Sequence, residues 1–236
     1  MKLDAILFDL DGTLLPMDND LFTRGYLHLL AEAMEEHGYE ERSMTLAMWK
    51  GVSAMVKNDG SEPNIDAFCR RFGSELGRDA RRDIPLFDAF YLNGFAEARA
   101  LTSPTPLAGT AVSLAKEKAN KVVLATNPLF PRVAIEVRLS WAGLSADDFD
   151  LVTDYETSRS CKPNPAYYAE IMKKISSSPE RSLMIGNNAD EDARASLAAG
   201  LSAYLVTDCL IGDPSGLTVP SGSLADLTEW LKALPV

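Results

Sequence analysis

The string Phe8-Asp9-Leu10-Asp11-Gly12-Thr13-Leu14 sets a carboxylate at the end of an apolar run and a second carboxylate two residues later. An aspartate at such a place can attack an electrophile and form a covalent aspartyl intermediate, splitting a hard transfer into two easier ones. Carboxylates this close repel unless a cation or a shared proton intervenes. A Mg2+ ion at Asp9 and a proton on Asp11, held as a general acid, would meet both needs. Farther along, Ala125-Thr126-Asn127 ends another apolar run with a hydroxyl and an amide, neutral donors suited to phosphate oxygens. In Cys161-Lys162-Pro163-Asn164-Pro165 a compact positive charge sits just ahead of a proline-stiffened loop. Finally, Gly186-Asn187-Asn188-Ala189-Asp190-Glu191-Asp192 is an oxygen-rich loop of the kind that completes a hard-metal site. Each of the last three strings also suits a plain turn, a solvated lysine or an acid-decorated helix N-cap. Their shared place at the ends of apolar runs favours chemistry.

The elements that must hold these residues can be read from the pattern. Apolar runs at Leu3–Phe8, Val122–Thr126, Asp150–Thr153, Ser182–Ile185 and Ala203–Thr207 are mostly continuous rather than alternating, as in strands buried on both faces. Helical spacing of apolar residues predicts helices over Leu107–Ala119, Pro131–Trp141, Ala166–Ile175 and Asp190–Ala199, with Gly143 and Gly200 at two C-caps. This alternation predicts an α/β fold with a Rossmann-like, doubly wound parallel sheet. It fails over residues 18–103, where Leu21–His37, Ser43–Lys57, Ile65–Leu76 and Leu86–Ala100 read as amphipathic helices. The expected organisation is therefore a core of residues 1–17 and 104–236 with an inserted all-helical cap of residues 18–103. The Gly/Pro/Ser-rich stretch Gly212–Ser223 reads as surface loop.

Composition narrows the class of function. Hydrophobic residues make up 46% and charged residues 24% of the 236, enough apolar material for a real core. Acidic residues outnumber basic ones 34 to 23, for a net charge of −11, which argues against nucleic acid or an anionic membrane as partner. No apolar stretch is long enough to span a bilayer, and Asp4 and Asp9 fall too early for a signal-peptide core. Cys69, Cys161 and Cys209 form neither a disulfide framework nor a zinc-ligand pair, so a reducing cytoplasm is expected. His28 and His37 share no metal-ligand spacing, and Phe87, Phe90, Tyr91 and Phe95 read as core. Cys69 and Cys209 read as packing residues; Cys161 adjoins Lys162, a setting that could lower a thiol pKa, but no catalytic role is expected of it.

Taken in order, the four strings resemble the motifs of the haloacid dehalogenase-like (HAD) hydrolases, in the subfamily with a helical cap inserted after the first strand. The resemblance runs from Leu3 to about Thr207, while the cap matches by position and helical character alone. It implies that Asp9 is the nucleophile and a Mg2+ ligand. Asp11 would be the general acid and base, with its carbonyl also on the metal. Thr126 and Lys162, with Asn127 beside them, would hold phosphate, and Asp192 would complete the metal site. The family usually has an acid straight after the glycine; here Asn187 stands there, followed by Asn188. An amide oxygen can bind Mg2+ but brings no negative charge, so metal affinity should be weakened, with Asn187 the expected ligand. The activity implied is Mg2+-dependent hydrolysis of a small phosphorylated metabolite by a monomer or homodimer. Alternatives are a phosphomutase, a 2-haloacid dehalogenase, which the second aspartate argues against, or a binding protein that has lost turnover.

Overall fold

A computed structural model of the chain describes residues 2–235. The strand Leu3–Phe8 (β1) runs into the loop that carries Asp9 and Asp11. The helices Asn19–Glu35 (α1), Glu41–Val56 (α2), Asn64–Leu76 (α3) and Ile84–Leu92 (α4) follow. The α/β alternation then takes over with Leu107–Lys118 (α5), Ala119–Leu124 (β2), Arg132–Trp141 (α6), Leu151–Val152 (β3), Pro165–Ile175 (α7) and Ser182–Gly186 (β4). A π-helical turn, Ala189–Arg194, leads into Ala195–Ala198 (α8), and the chain closes with Ser202–Val206 (β5), Ser221–Gly222 (β6) and Leu224–Ala233 (α9).

All six strands are parallel, in the order β3-β2-β1-β4-β5-β6. The central strands β1 and β4 are almost wholly apolar and buried, which is why they read as continuous runs. From β1 the chain steps outward to β2 and β3, then crosses back to β4 on the other side of β1. The β1/β4 boundary is thus a topological switch point, and a crevice opens beyond the carboxyl ends of the strands there.

Four local features differ from the sequence pattern. β2 begins at Ala119 with no loop after α5, so the helical periodicity runs straight into the strand. The stretch read as one helix over Leu86–Ala100 breaks at Asn93-Gly94 into α4 and a 3-10 segment, Gly94–Leu101. Asp190–Ala199 begins as the π-helical turn rather than as regular α-helix. The tail read as loop contains β6, two residues that pair with Leu205 and Val206 of β5.

Residues 18–103 add no strand to the sheet. Their ends are tied together where they leave it: Met17 bridges Thr102, and the Ser103 N–H donates to the Pro16 carbonyl at 2.8 Å. The helical block packs on α6 and the segment before it through aromatic contacts, with the Phe95 ring 5.0 Å from Trp141 of α6 and the Tyr26 ring 5.3 Å from Phe130. Phe87, Phe90, Tyr91 and Phe95 are all buried, as their spacing implies.

Candidate active site

Asp9 follows β1 directly, and its N–H donates to the Ile185 carbonyl of β4 at 2.9 Å, so the central strand pair fixes its backbone. The next residues form a tight turn, with Gly12 N–H to Leu15 carbonyl and Leu15 N–H to Leu10 carbonyl both at 2.8 Å. Gly12 has φ +83°, and a Cβ there would lie 2.2 Å from the Asn187 amide nitrogen. Gly186 is required for the same kind of reason, since its Cβ would fall 2.2 Å from the Asp192 carboxylate carbon. Gly12 thus lets the first motif lie against the fourth, where Thr13 meets Asn187 across 174 positions of sequence, and Gly186 leaves room for Asp192 within the fourth.

Lys162 is 1% exposed, and its Nζ donates to Asp9 Oδ1 at 2.9 Å and to Asp192 Oδ1 at 2.6 Å. Burial works against its charge, but the carboxylates of Asp192 and Asp9 outweigh that and hold its pKa well above the ordinary lysine value. Burial raises the Asp9 carboxyl most; Lys162 pulls it down, Asp192 and Asp11 push it up, and the result is about 7. Asn127 joins the second and third motifs: its Oδ1 accepts from the Lys162 N–H at 3.2 Å. Thr126 is 3% exposed and its carbonyl accepts from Tyr167 at 2.9 Å and Thr153 at 2.7 Å, which locks the end of this strand segment. On the far side Asn164 caps α7, its Oδ1 accepting from the Ala166 N–H at 3.0 Å, with Pro165 in the first helical turn.

The two adjacent asparagines have different jobs. Asn187 is buried; its Nδ2 donates to the Cys209 carbonyl at 2.6 Å, which turns Oδ1 towards Thr13, whose hydroxyl lies 3.1 Å away. That hydroxyl is also 3.4 Å from Asp9 Oδ2. The Asn188 Oδ1 is instead engaged as a helix cap, accepting from the N–H groups of Asp190 at 3.0 Å and Glu191 at 3.1 Å. Asp192 Oδ2 accepts from the Asn188 N–H at 2.9 Å.

Asp9, Asp11, Thr126, Asn127, Asn187 and Asp192 all line one cleft, and Lys162 lies beneath it against Asp9 and Asp192. Residues outside the four motifs complete it. Arg138 of α6 is fully buried, stacks its guanidinium 4.1 Å over the Phe130 ring, and donates from Nη1 to Asp11 Oδ2. Burial raises the Asp11 carboxyl above its usual range, opposed by Arg138 and Lys162. Glu191 accepts from Asn127 Nδ2 at 3.0 Å and is likewise raised by burial. Asn19, Phe22 and Thr23 of α1 bring the helical block to the rim. Arg138 could have been found in the sequence as an arginine on the otherwise apolar stripe Ala134, Ile135, Leu139 of its helix. Cys161 takes no part: burial pushes its thiol up to about 12, and its sulfur accepts from Asn64 Nδ2 at 3.2 Å.

The donor set fits a hard divalent cation. Asp9, Asp192, the Asn187 side-chain oxygen and the Asp11 carbonyl would all offer oxygen to it, the kind of donor such an ion prefers. Among the described residues, no three His, Cys, Asp or Glu side chains are grouped to hold a metal. An ion here would therefore rely on two carboxylates with neutral oxygens and water. No helix among the described residues is long and apolar enough to cross a membrane.

Solved structures share this fold at low identity. A HAD phosphatase from Thermococcus onnurineus matches with TM-score 0.63 and 15% identity, over 99% of this chain and 100% of that one. The HAD-hydrolase YfnB from Bacillus subtilis, solved bound to magnesium, matches with TM-score 0.59 and 18% identity, over 98% and 100%. L-2-haloacid dehalogenase from Xanthobacter autotrophicus matches with TM-score 0.57 and 17% identity, over 99% and 100%. Comparison with curated protein sequences gives no match. The model of the haloacid dehalogenase-like hydrolases matches residues 3–200, a span that includes all four motifs and the crevice they line, and the chain belongs to that family.

Proposed function

We propose that the protein is a phosphomonoesterase that works through an aspartyl phosphate on Asp9. The observation that carries this reading is the Asp11 carboxyl: Arg138 holds Oδ2, while Oδ1 is buried in the cleft without a partner. A departing alkoxide needs a proton, and a departing halide does not, so a carboxyl with one free oxygen beside the nucleophile suits ester cleavage over dehalogenation.

The chemistry then balances as follows. An Asp9 oxygen forms a bond to phosphorus as the bond from phosphorus to the ester oxygen breaks. The proton on Asp11 passes to that oxygen, and the alcohol leaves. A water molecule, giving its proton to Asp11, attacks the phosphorus and breaks its bond to Asp9, which returns to a carboxylate as inorganic phosphate departs. Lys162 and the Thr126 hydroxyl meet the charge that develops on the phosphoryl oxygens. Mg2+, held by Asp9, the Asp11 carbonyl, Asn187 and Asp192, would supply further neutralisation of that charge. Residues 18–103 act as a cap that excludes bulk water, with α1 at the rim of the cleft and paired linkers near Pro16 and Ser103 as the hinge.

Purified protein with Mg2+ is expected to hydrolyse an aryl phosphate and to release no chloride from 2-chloropropionate; the reverse pattern would defeat the reading. Asp11→Asn should slow an alkyl phosphate much more than an aryl phosphate, because an acidic phenol leaves with little help. Equal losses on both esters would remove Asp11 as general acid.

The amide at Asn187 gives a second test. Restoring a carboxylate adds a direct charge attraction where water is partly excluded. Asn187→Asp should therefore lower the Mg2+ concentration for half-maximal activity, and Asn188→Asp should do less, since Asn188 is committed to its helix cap. A response only at Asn188 would show that the ligand register is shifted by one.

A further inference from the structure

Among the described residues, three buried side-chain polar atoms lack a hydrogen-bond partner: Asp11 Oδ1, Asn19 Oδ1 and Arg138 Nη2. All three residues line the same cleft, which encloses about 210 Å³. A buried polar atom left unpaired is destabilising, so three in one crevice mark a place where a ligand completes the bonding. Asp11 Oδ1 is accounted for by the leaving oxygen. The remaining pair is one donor, on the core helix α6, and one acceptor, on the first helix of the inserted block.

We propose that Arg138 Nη2 and Asn19 Oδ1 form a leaving-group subsite for an uncharged hydroxyl of the alcohol released, so that the substrate is the monophosphate of a small neutral polyol. This rests on the phosphomonoesterase reading and deepens it. A hydroxyl accepts one hydrogen bond and donates another, which matches an unpaired guanidinium donor and an unpaired amide acceptor lining the same cleft. A carboxylate could satisfy only the donor. Charge points the same way. Asp9, Asp11, Glu191 and Asp192 stand against only Lys162 and Arg138, and Arg138 is already paired with Asp11. The phosphoryl group and its counter-ion balance one another, so a second anion would find no free cation and several carboxylates. The apolar wall of Phe22, Leu129 and Phe130 suits the carbon skeleton of such an alcohol. Asn19 and Phe22 come from the block proposed to close over the core, so recognition of the hydroxyl would coincide with closure.

The test compares matched esters with the Mg2+-loaded protein: glycerol 3-phosphate, propyl phosphate, which lacks the hydroxyls, and 3-phosphoglycerate, which adds a carboxylate. An aryl phosphate serves as the check on the underlying chemistry. Wild type should show kcat/KM for glycerol 3-phosphate about tenfold or more above either of the others, the discrimination expected when a buried pair is left unsatisfied. In Asn19→Ala and in Arg138→Lys, which keeps the charge beside Asp11 but loses the forked donor, the ratio of glycerol 3-phosphate to propyl phosphate should collapse towards one. A ratio cancels any general loss of folded or active protein, which would lower both rates alike. If the aryl phosphate is turned over but the wild-type ratio is flat, or if Asn19→Ala leaves it unchanged, the subsite is wrong and the phosphomonoesterase stands. Preference for 3-phosphoglycerate also overturns it, in favour of an anion at Arg138. If no ester is cleaved, the aryl phosphate included, both readings fall together.

Discussion

Asp9→Asn should lower turnover of an aryl phosphate by several orders of magnitude and leave the fold intact. The substitution is close to isosteric but removes the attacking oxygen, and loss of a nucleophile typically costs that much. Folding should not suffer, and thermal stability should hold or rise. The Asp9 carboxyl is raised to about 7 mainly by burial, so at neutral pH its charge works against the folded state. A neutral amide removes that burden, and Lys162 keeps its shorter bond, 2.6 Å, to Asp192. Activity lost while stability is kept is the signature of a side chain placed for chemistry. Retention of more than about a tenth of the wild-type rate would end the role of Asp9 as nucleophile. Thermal unfolding by circular dichroism, run on the same preparations, checks the stability half of the expectation.

Lys162→Met should be damaging twice over. It removes the donor proposed to meet the phosphoryl oxygens, a loss worth about 10²–10³ in rate when measured for comparable donors. It also leaves Asp9 and Asp192 buried without the ammonium that joins them. Removing one partner of a buried ion pair costs about 3–5 kcal/mol. The sign of the pH dependence follows from Asp9. Its folded pKa, about 7 with Lys162 present, lies above the ordinary aspartate value of 3.8 and would rise further without it. A carboxyl raised in the folded state keeps its full stability below the unfolded pKa and loses it as the pH climbs through the folded value. The melting temperature of the variant should thus sit closest to wild type near pH 4 and fall progressively behind as the pH passes 7. A deficit that shrinks with rising pH would mean that Lys162 does not neutralise the two carboxylates in the way the geometry implies.

The legible part of the site was set by local strings. Asp9, Asp11, Thr126, Lys162 and Asp192 each follow or open an element whose apolar pattern is strong, and a parallel sheet brings strand ends to one edge. Arg138 was not legible as a partner of Asp11, because the two lie 127 residues apart and only folding brings α6 over the β1 loop. Asn19 is likewise unremarkable as sequence; its place at the cleft depends on how α1 packs. The strand β6 escaped because two residues among glycines, prolines and serines carry no periodicity, and β5 alone defines them. The start of β2 is masked because Lys118 ends a helix and Ala119 begins a strand with nothing between to signal the change. The break between α4 and the 3-10 segment was signalled by Asn93-Gly94, but the aromatic spacing on either side masked it.

Transfer of a phosphoryl group to Asp9 can be caught by acid-quenching the Mg2+-loaded protein during turnover of an aryl phosphate, then digesting it and weighing its peptides. If that transfer occurs, the peptide containing Asp9 should gain the mass of one phosphoryl group, the label should be released by mild base as acyl phosphates are, and Asp9→Asn should carry none. Steady turnover with no label on that peptide, or a label that persists in Asp9→Asn, would contradict it.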